Sequence, residues 1–479
     1  MTESSGRSLR EAIGHPVIDT DGHLVEFMPV FEEYLAEHAG VAAVEHYRRG
    51  KEWFRLNDDE RRLKHLAKVP WGYPVDPHDH MASMLPALLE ERLLAMGIDF
   101  VVIHPSPKRL GIPHYQDADL RHGMCRAMNA YMADLLRPHG AHMTPAAIIP
   151  MYSPTEAIEH LEFAVGELGM KATMVASHAQ RPVGAPQDAG VPGAERALWW
   201  DNFVLDSLHD YDPVWAKFQE LRVVPSFHSG TIGMGSRILS TNSIYNFIGH
   251  FEASQESICK ALFLGGVTRR FPDLKFCFET AGVAWAALLY ANLVAQWSIR
   301  RPSVLFKNDP AQFDLEVATK LFSEHAPEHF RSHSSRLSSI TDRMTWLDEE
   351  DLAAQGDEYA LAGIEQLSDF ESGFVDNFFF GCLGEATFDH LAFEEANFPS
   401  SSKLKAVYGT DMGHYNPTPM DEMLGSAHEA VDQERISPDD FRAMTFANPV
   451  ELFAGTNPDF FRGTAIEKEV QEELQDQMP

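Results

Sequence analysis

The sequence predicts an α/β fold, namely a (β/α)8 TIM barrel that carries large inserted helical and loop segments. Eight short apolar segments alternate with helical patterns, which is typical of repeated βα units. Several of these segments end in Asp, Glu or His, as barrel strands do where they reach a ligand-binding face. The length of 479 residues exceeds a minimal barrel and leaves room for insertions.

The eight candidate strands are short, rich in aliphatic and aromatic residues, and spread over the whole chain. They cover residues 16–21, 98–106, 144–150, 171–177, 221–229, 274–280, 376–384 and 404–411. Helical patterns separate most of them. One example is SPTEAIEHLEFAVGELG, which begins with a Ser-Pro cap and ends in Gly.

We expect residues 1–479 to form a single metal-dependent hydrolase-type barrel domain. Three stretches exceed a minimal barrel, at about 27–90, 178–210 and 297–375. Insertions in the βα loops would cover the active-site face as lids or substrate walls. Surface decoration or a contact between subunits is an equally good interpretation of these stretches.

Charge and cysteine content exclude several classes of function. The chain has 39 Lys and Arg against 71 Asp and Glu, for a formal charge of −32, so nucleic acid is not an expected partner. Its four cysteines form no CxxC pair, and no run of 18 apolar residues is present. The N-terminus is polar and has no apolar signal region. We therefore expect a cytoplasmic protein with no membrane partner.

The first strand ends in a run of polar residues that can bind a metal ion. Asp19, Asp21 and His23 are spaced at i and i+2, so they share one face of a strand, and Glu26 follows on the loop. An aspartate that caps a helix beside a turn histidine is the structural alternative.

Later strands end in similar groups. His228 follows the fifth strand, Glu279 the sixth, and Asp411 and His414 the eighth. Each has a structural alternative: a core histidine, a salt-bridged glutamate or a turn-forming aspartate. Together, oxygen and imidazole donors at strands one, five and eight suit Zn²⁺, Mn²⁺ or Fe²⁺, and the lack of thiols argues against structural zinc.

Seven segments resemble the amidohydrolase-related family, which includes aminocarboxymuconate-semialdehyde-type decarboxylases. They run in order from about residue 16 to residue 455. They are VIDTDGHLVE, CRAMNAYMADLL with the following TPAAIIPMYSPTEAIEHLEFAVGELGMKATMV, VVPSFHSG, ALFLGGVTRRFPDLKFCFETAGVAWAALL, YGTDMGH and ISPDDFRAMTFANPVELF. The resemblance implies a metal-dependent barrel enzyme. Its implied metal ligands are Asp21, His23, His228 and Asp411.

The chain departs from that family in two places. Asp21 stands where many members have the first residue of His-x-His. Residues 280–283 read Thr-Ala-Gly-Val, where decarboxylase-like members carry His-x-Gly-Glu. The sequence there is closer to a branch with Glu-[Ser/Thr]-x-Gly followed by Trp, here Glu279 and Trp285. His250 can supply the missing imidazole or can be a surface histidine at a helix start.

Metal-assisted hydrolysis is the main expectation, with Zn²⁺ as the ion and Mn²⁺ or Fe²⁺ as alternatives. The substrate would be a small organic acid, such as an aromatic one, that loses a C–N or C–C bond. Asp411 would ligate the ion and take a proton from water. His250 or Glu279 would act as a second acid or base, with His414 in support.

Three other functions remain open. The first is non-oxidative decarboxylation of an aromatic or unsaturated carboxylic acid. The second is a dinuclear oxygenase, in which Glu26 and His250 would help to hold a second ion. The third is a non-catalytic subunit. We expect a homodimer or a higher homo-oligomer, and an aromatic-walled pocket is predicted from Trp71, Tyr73, Trp199, Trp200, Phe227, Trp285 and Tyr415.

Overall fold

The computed structural model gives the conformation of most of the chain, in ranges separated by short gaps. The described residues are 5–50, 56–64, 66–68, 72–106, 112, 115–184, 197–228, 237–301, 304, 313–343, 358–383, 389–395, 398, 402–414 and 418–476.

Eight parallel strands form one sheet, in the order β1-β2-β3-β4-β7-β8-β9-β10. Their bounds are β1 Ile18–Leu24, β2 Phe100–Pro105, β3 Met143–Ile149, β4 Ala172–Val175, β7 Pro225–Phe227, β8 Phe276–Phe278, β9 Phe378–Leu383 and β10 Lys405–Gly409. Each of the eight strands overlaps one of the predicted segments, which confirms the TIM-barrel prediction.

The barrel closes between its first and last strands. The amide of Asp411 donates to the carbonyl of Asp21 at 2.8 Å, and the amide of His23 donates to the carbonyl of Met412 at 2.9 Å. These bonds join the carboxyl end of β1 to the residues that follow β10. The two polar ends predicted to bind metal are therefore held side by side by the backbone.

Helices surround the barrel and fill most of the connections. The α-helices are Ser5–Ile13, Met28–Gly50, Asp58–Lys64, Pro77–Ala82, Pro86–Met96, Ala118–Leu136, Pro154–Leu161, Asp212–Leu221, Ser243–Phe247, His250–Leu264, Val267–Arg270, Ala284–Arg300, Leu315–His325, Glu328–Arg331, Ser368–Phe370, Met423–Asp432, Pro438–Arg442, Asn448–Thr456 and Glu467–Asp476. Short 3-10 helices cover Arg137–His139, Ser334–Arg343, Asp389–Ala392 and Met420–Glu422, and π-helical turns cover Glu162–Glu167, Glu371–Val375 and Ala443–Ala447.

The stretch after β4 forms an antiparallel hairpin, β5 Ala179–Pro182 with β6 Leu198–Asp201. A buried ion pair joins the two strands, because the guanidinium of Arg181 donates to the carboxylate of Asp201. Arg181 also donates to the hydroxyl of Tyr211 at 2.9 Å and lies 5.0 Å from the ring of Tyr152, which follows β3. These contacts fix the hairpin to the barrel rim.

Strand alternation separates the aromatic core from the interior of the barrel. Phe227 is fully buried and stacks on Phe278 and Phe276, at ring-centroid distances of 5.4 and 6.4 Å. Trp285 packs on Phe278 and Phe380 at 5.8 and 5.5 Å. Phe227 therefore packs in the core, contrary to the prediction that it lines a pocket. The same prediction for Trp285, on the helix Ala284–Arg300, stays a prediction.

The four cysteines are buried and unpaired. Among the residues that the structure describes, no helix is both long and apolar enough to cross a lipid bilayer.

Candidate metal centre

Four predicted ligands converge at the carboxyl ends of three barrel strands. Asp21 and His23 come from β1, His228 directly follows β7, and Asp411 lies two residues after β10. One ligand atom from each lies within 4.8 Å of every other. The structure therefore brings together residues that are almost 400 positions apart in the sequence, as the strand-end argument predicted.

The spacing of these atoms fits a single ion. The Nε2 atoms of His23 and His228 are 3.2 Å apart, and each lies 3.3 Å from Oδ1 of Asp21. Nε2 of His23 is also 3.3 Å from Oδ1 of Asp411. Ligands held about 2.1 Å from one ion at tetrahedral angles are about 3.4 Å apart. A divalent cation therefore fits between these four groups.

The burial of the ligand side chains favours the binding of a cation at this site. The side chains of His23, His228 and Asp21 are at most 1% exposed, whereas that of Asp411 is 17% exposed. Oδ1 of Asp21 and Oδ1 of Asp411 are buried without a hydrogen bond of good geometry from a described residue. Buried oxygen atoms of this kind cost free energy unless a cation or a donor satisfies them.

The pKa values of Asp21 and His23 are shifted because carboxylates and imidazoles lie close together at this site. Burial raises the pKa of Asp21, but the charges of His228 and His23 outweigh it and hold the pKa well below its usual value. Burial lowers the pKa of His23, yet contacts with Asp21 and Asp411 raise it to about 10. The two carboxylates therefore stay ionised at neutral pH, and a cation bound between them would replace the proton that His23 holds.

Neighbouring backbone atoms set the orientation of this cluster. The Nδ1 of His23 lies 2.8 Å from the carbonyl oxygen of Pro105, so its Nε2 points to the centre. A side chain at Gly409 would place its Cβ 2.9 Å from Cβ of Asp21. Gly413 has φ of 84°, and a Cβ there would lie 2.4 Å from the carbonyl oxygen of His23. Both glycines leave space that the β1 ligands occupy.

The family profile named Amidohydrolase matches residues 18–346, which is more than half of the chain. This chain belongs to the amidohydrolase family. It is an enzyme of the metal-dependent amidohydrolase type, and the buried Asp/His/His/Asp cluster is the part of this amidohydrolase that suits a divalent ion.

Several solved structures match this chain at low sequence identity. An amidohydrolase from Mycobacterium avium subsp. paratuberculosis is 15% identical, with a TM-score of 0.50, and the match covers 92% of this chain and 98% of that one. A manganese-bound 5-carboxyvanillate decarboxylase from Novosphingobium aromaticivorans is 12% identical, with a TM-score of 0.49 and coverage of 92% and 96%. A manganese-bound dihydroxybenzoic acid decarboxylase from Polaromonas is 15% identical, with a TM-score of 0.48 and coverage of 94% and 99%.

His414 lies against the ligand cluster of this amidohydrolase. Its Nδ1 is 2.7 Å from Oδ1 of Asp411, and its ring stacks on that of His23 at 3.9 Å between centroids. Burial lowers the pKa of His414 to about 4, although the charge of Asp411 opposes the shift. Burial raises the pKa of Asp411, but His414 and His23 bring it below its ordinary value. The pair therefore combines an ionised carboxylate with a neutral imidazole.

Glu279 lies outside the group of four ligands. Its two carboxylate oxygens accept hydrogen bonds from Cys277 at 3.1 Å and from Thr20 at 3.2 Å. Burial and the nearby charge of Asp21 raise its pKa well above the usual value. Asp19 is also fully buried and accepts bonds from Thr410 and from the amide of Asp21, while burial raises its pKa to about 7. Both acids are thus buried in the barrel and are not among the four residues that converge on the ion site.

The two proposed ligands of a second ion do not join the cluster. Glu26 accepts hydrogen bonds from the amide and the hydroxyl of Ser106 at 3.0 and 2.7 Å. His250 begins the helix His250–Leu264 and is buried beside Phe251, with ring centroids 4.7 Å apart, and burial lowers its pKa to about 4. The role of Glu26 and His250 as ligands of a second ion stays a prediction. The role of His250 as an acid or base also stays a prediction.

Two residues at the site were not singled out from the sequence. His104 on β2 is buried, with its Nε2 3.9 Å from Oδ1 of Asp21 and its ring 5.2 Å from that of His228. It ends an apolar strand, so the rule that found His228 could have found it. Thr280 directly contacts Asp21 and His228, and no sequence pattern for a metal ligand includes a threonine at this position.

The aromatic wall stays a prediction for the other aromatic residues. Trp200 on β6 packs edge-on against His178 at 4.4 Å, beside Trp199 on the same strand. Tyr73 packs against His80 at 6.0 Å. Trp71 and Tyr415 lie outside the described residues.

Proposed function

We propose that this amidohydrolase is a divalent-metal-dependent decarboxylase of a small hydroxylated aromatic or unsaturated acid. The observation that carries the proposal is the Asp411–His414 pair, because Asp411 has the most exposed side chain of the four predicted ligands, at 17%. The other three predicted ligands are sealed in the barrel, at no more than 1% exposed. A substrate therefore reaches the site beside Asp411.

The residues of the cluster would have two tasks, which are to hold the ion and to transfer a proton. Asp21, His23, His228 and Asp411 would hold the ion. When bound, the ion would neutralise and orient the substrate carboxylate and an adjacent oxygen. The chain's own acid–base groups must then move one proton, because decarboxylation replaces a carboxylate by a hydrogen on the same carbon.

The Asp411–His414 pair is suited to transfer that single proton. Asp411 is ionised, so it can accept the proton of the substrate hydroxyl and return it to the carbon that bears the carboxylate. The C–C bond then breaks, its electron pair returns to the substrate's π system, and CO2 leaves. The product oxygen regains a proton from solvent. The contact with His414, 2.7 Å from Asp411, fixes the direction of the carboxylate throughout.

Hydrolysis is the second candidate, and the ionised state of Asp411 favours it too, because a carboxylate can take a proton from water. Hydrolysis also needs an acid for the leaving group. Glu279 is engaged by Cys277 and Thr20, so among the described residues it does not face an incoming substrate. Decarboxylation also needs a proton donor, but the proton that Asp411 takes from the substrate hydroxyl meets this need.

Isotope labelling separates the two reactions. Enzyme loaded with Mn²⁺ or Zn²⁺ would be incubated with ortho-hydroxylated benzoates in D2O, and CO2 and the product would be analysed by mass spectrometry. We expect CO2 release with one deuterium on the vacated carbon. A parallel reaction would use ortho-hydroxylated benzamides in ¹⁸O-labelled water. Incorporation of ¹⁸O into the acid product, with no CO2 release from the benzoates, would instead establish hydrolysis.

Variants test the role of the acid–base pair. Asp411→Asn should reduce turnover by about 10²–10⁴-fold, which is the usual range for loss of a general acid or base. Asp432→Asn is the matched control, because Asp432 pairs with Nδ1 of His428 at 3.2 Å on the exposed surface. Wild-type turnover in Asp411→Asn would remove Asp411 from the reaction.

A further inference from the structure

Thr280 has a backbone conformation that is unusual for its side chain. Its φ is 61°, in the left-handed region that β-branched residues strongly disfavour. Such conformations cost free energy and tend to occur where function requires them. The side chain is 2% exposed, so the unusual backbone does not result from a solvent-exposed turn.

The left-handed backbone changes where the side chain points. Cys277 and Glu279 share one face of the chain at β8, since the thiol of Cys277 donates to the carboxylate of Glu279. Regular alternation would direct Thr280 to the opposite face. Instead its hydroxyl reaches the same interior, where it meets Asp21 and His228.

The contacts of this hydroxyl are with two predicted metal ligands. Oγ1 of Thr280 donates its hydrogen to Oδ2 of Asp21 and lies 2.9 Å from Nε2 of His228. A hydroxyl has one hydrogen, so its lone pairs remain available on the side of His228. The 2.9 Å separation resembles the 3.2 Å between the two imidazole nitrogens. The oxygen is thus spaced like a member of the donor set.

We propose that Thr280 supplies a fifth donor atom to the metal centre and thereby raises the affinity of the site for Mn²⁺ relative to Zn²⁺. With this hydroxyl, the donors comprise oxygens from Asp21, Asp411 and Thr280 and the nitrogens of His23 and His228. Zn²⁺ is satisfied by four ligands, whereas Mn²⁺ takes more ligands and prefers oxygen. The inference holds whichever reaction the site performs.

Metal affinity measured on purified apoprotein tests this inference. Thr280→Val removes the hydroxyl at nearly constant volume, and Thr280→Gly removes it while suiting a positive φ, so it guards against a folding defect. Free Mn²⁺ would be followed by EPR, and Zn²⁺ by competition with a chromophoric chelator. Both variants should weaken Mn²⁺ binding by about 10–100-fold and leave Zn²⁺ binding near wild type.

Two further variants test whether the hydroxyl itself is responsible. Thr280→Ser retains the hydroxyl and should restore Mn²⁺ affinity. Thr173→Val is the matched control, because Thr173 is an equally buried barrel threonine whose hydroxyl bonds the carbonyl of Val224 at 2.6 Å. Wild-type Mn²⁺ affinity in Thr280→Gly would overturn the proposal. So would an equal loss of Mn²⁺ and Zn²⁺ affinity, because the hydroxyl would then act only through Asp21.

Discussion

A single methyl group at Gly409 should displace the metal ligand beside it. Gly409 ends β10, and the Cβ of an alanine there would lie 2.9 Å from Cβ of Asp21 and 3.8 Å from its amide nitrogen. Non-bonded carbons usually sit about 3.5–4.0 Å apart, so Asp21 would have to move by about 0.6–1 Å. The backbone bond between Asp21 and Asp411 limits how that motion can be absorbed.

This displacement is large on the scale of metal coordination. Ligand distances are met to within about 0.2 Å in well-formed sites, so the shift exceeds the tolerance several-fold. We expect Gly409→Ala to weaken Mn²⁺ or Zn²⁺ binding by at least about 10–100-fold. Overpacking should also reduce the free energy of unfolding by about 1–3 kcal/mol.

Elemental analysis after equilibrium dialysis would measure the bound metal, and thermal unfolding of the apoprotein would measure stability. Gly425→Ala is the control, because the added Cβ has no atom of a described residue within 4 Å, apart from the backbone of its own helix, Met423–Asp432. That variant should bind metal normally. If Gly409→Ala kept wild-type affinity, the positions of Asp21 and its neighbours could not be as tightly constrained as we infer.

The remaining predictions concern pH, metal removal and His414. Burial raises the pKa of Asp389 to about 8, whereas an unfolded aspartate titrates near about 3.9. The folded state thus holds the extra proton between these values, and stability should fall as pH rises from about 4 to about 8. Asp389→Asn should flatten that decline in chemical denaturation curves, and curves parallel to wild type would contradict it. Metal at about 1,000 times its Kd should stabilise the apoprotein by about 4 kcal/mol, and a melting temperature insensitive to chelator would contradict a folded-state site. His414→Gln should lower turnover by about 10–100-fold while metal stays bound, because the imidazole no longer orients Asp411, whereas unchanged turnover would exclude that orienting role.

Much of the fold could be predicted from the sequence because the barrel strands are short apolar runs separated by helical patterns. The same strand ends predicted the convergence of Asp21, His23, His228 and Asp411, since parallel strands present their carboxyl ends on one face. The regular period of a strand was sufficient for His228. Asp21 lies at a register irregularity of β1 and Asp411 has a left-handed φ of 53°, so only their closeness to a strand end predicted their positions.

The sequence was less informative where the backbone leaves that regular period. Thr280 reaches the site only through its left-handed φ, which composition and spacing do not reveal. Phe227 neighbours a site residue but packs in the core, because adjacent strand positions face opposite sides. Glu279 ends a strand as expected, yet its bonds to Cys277 and Thr20 depend on neighbours that only the folded barrel brings close.

Anomalous diffraction from crystals equilibrated with Mn²⁺ would most directly examine the ion site. We predict one peak, about 2.0–2.3 Å from Nε2 of His23 and His228 and from a carboxylate oxygen of Asp21 and Asp411. A peak elsewhere, or an ion held without His228 and Asp411, would contradict the account.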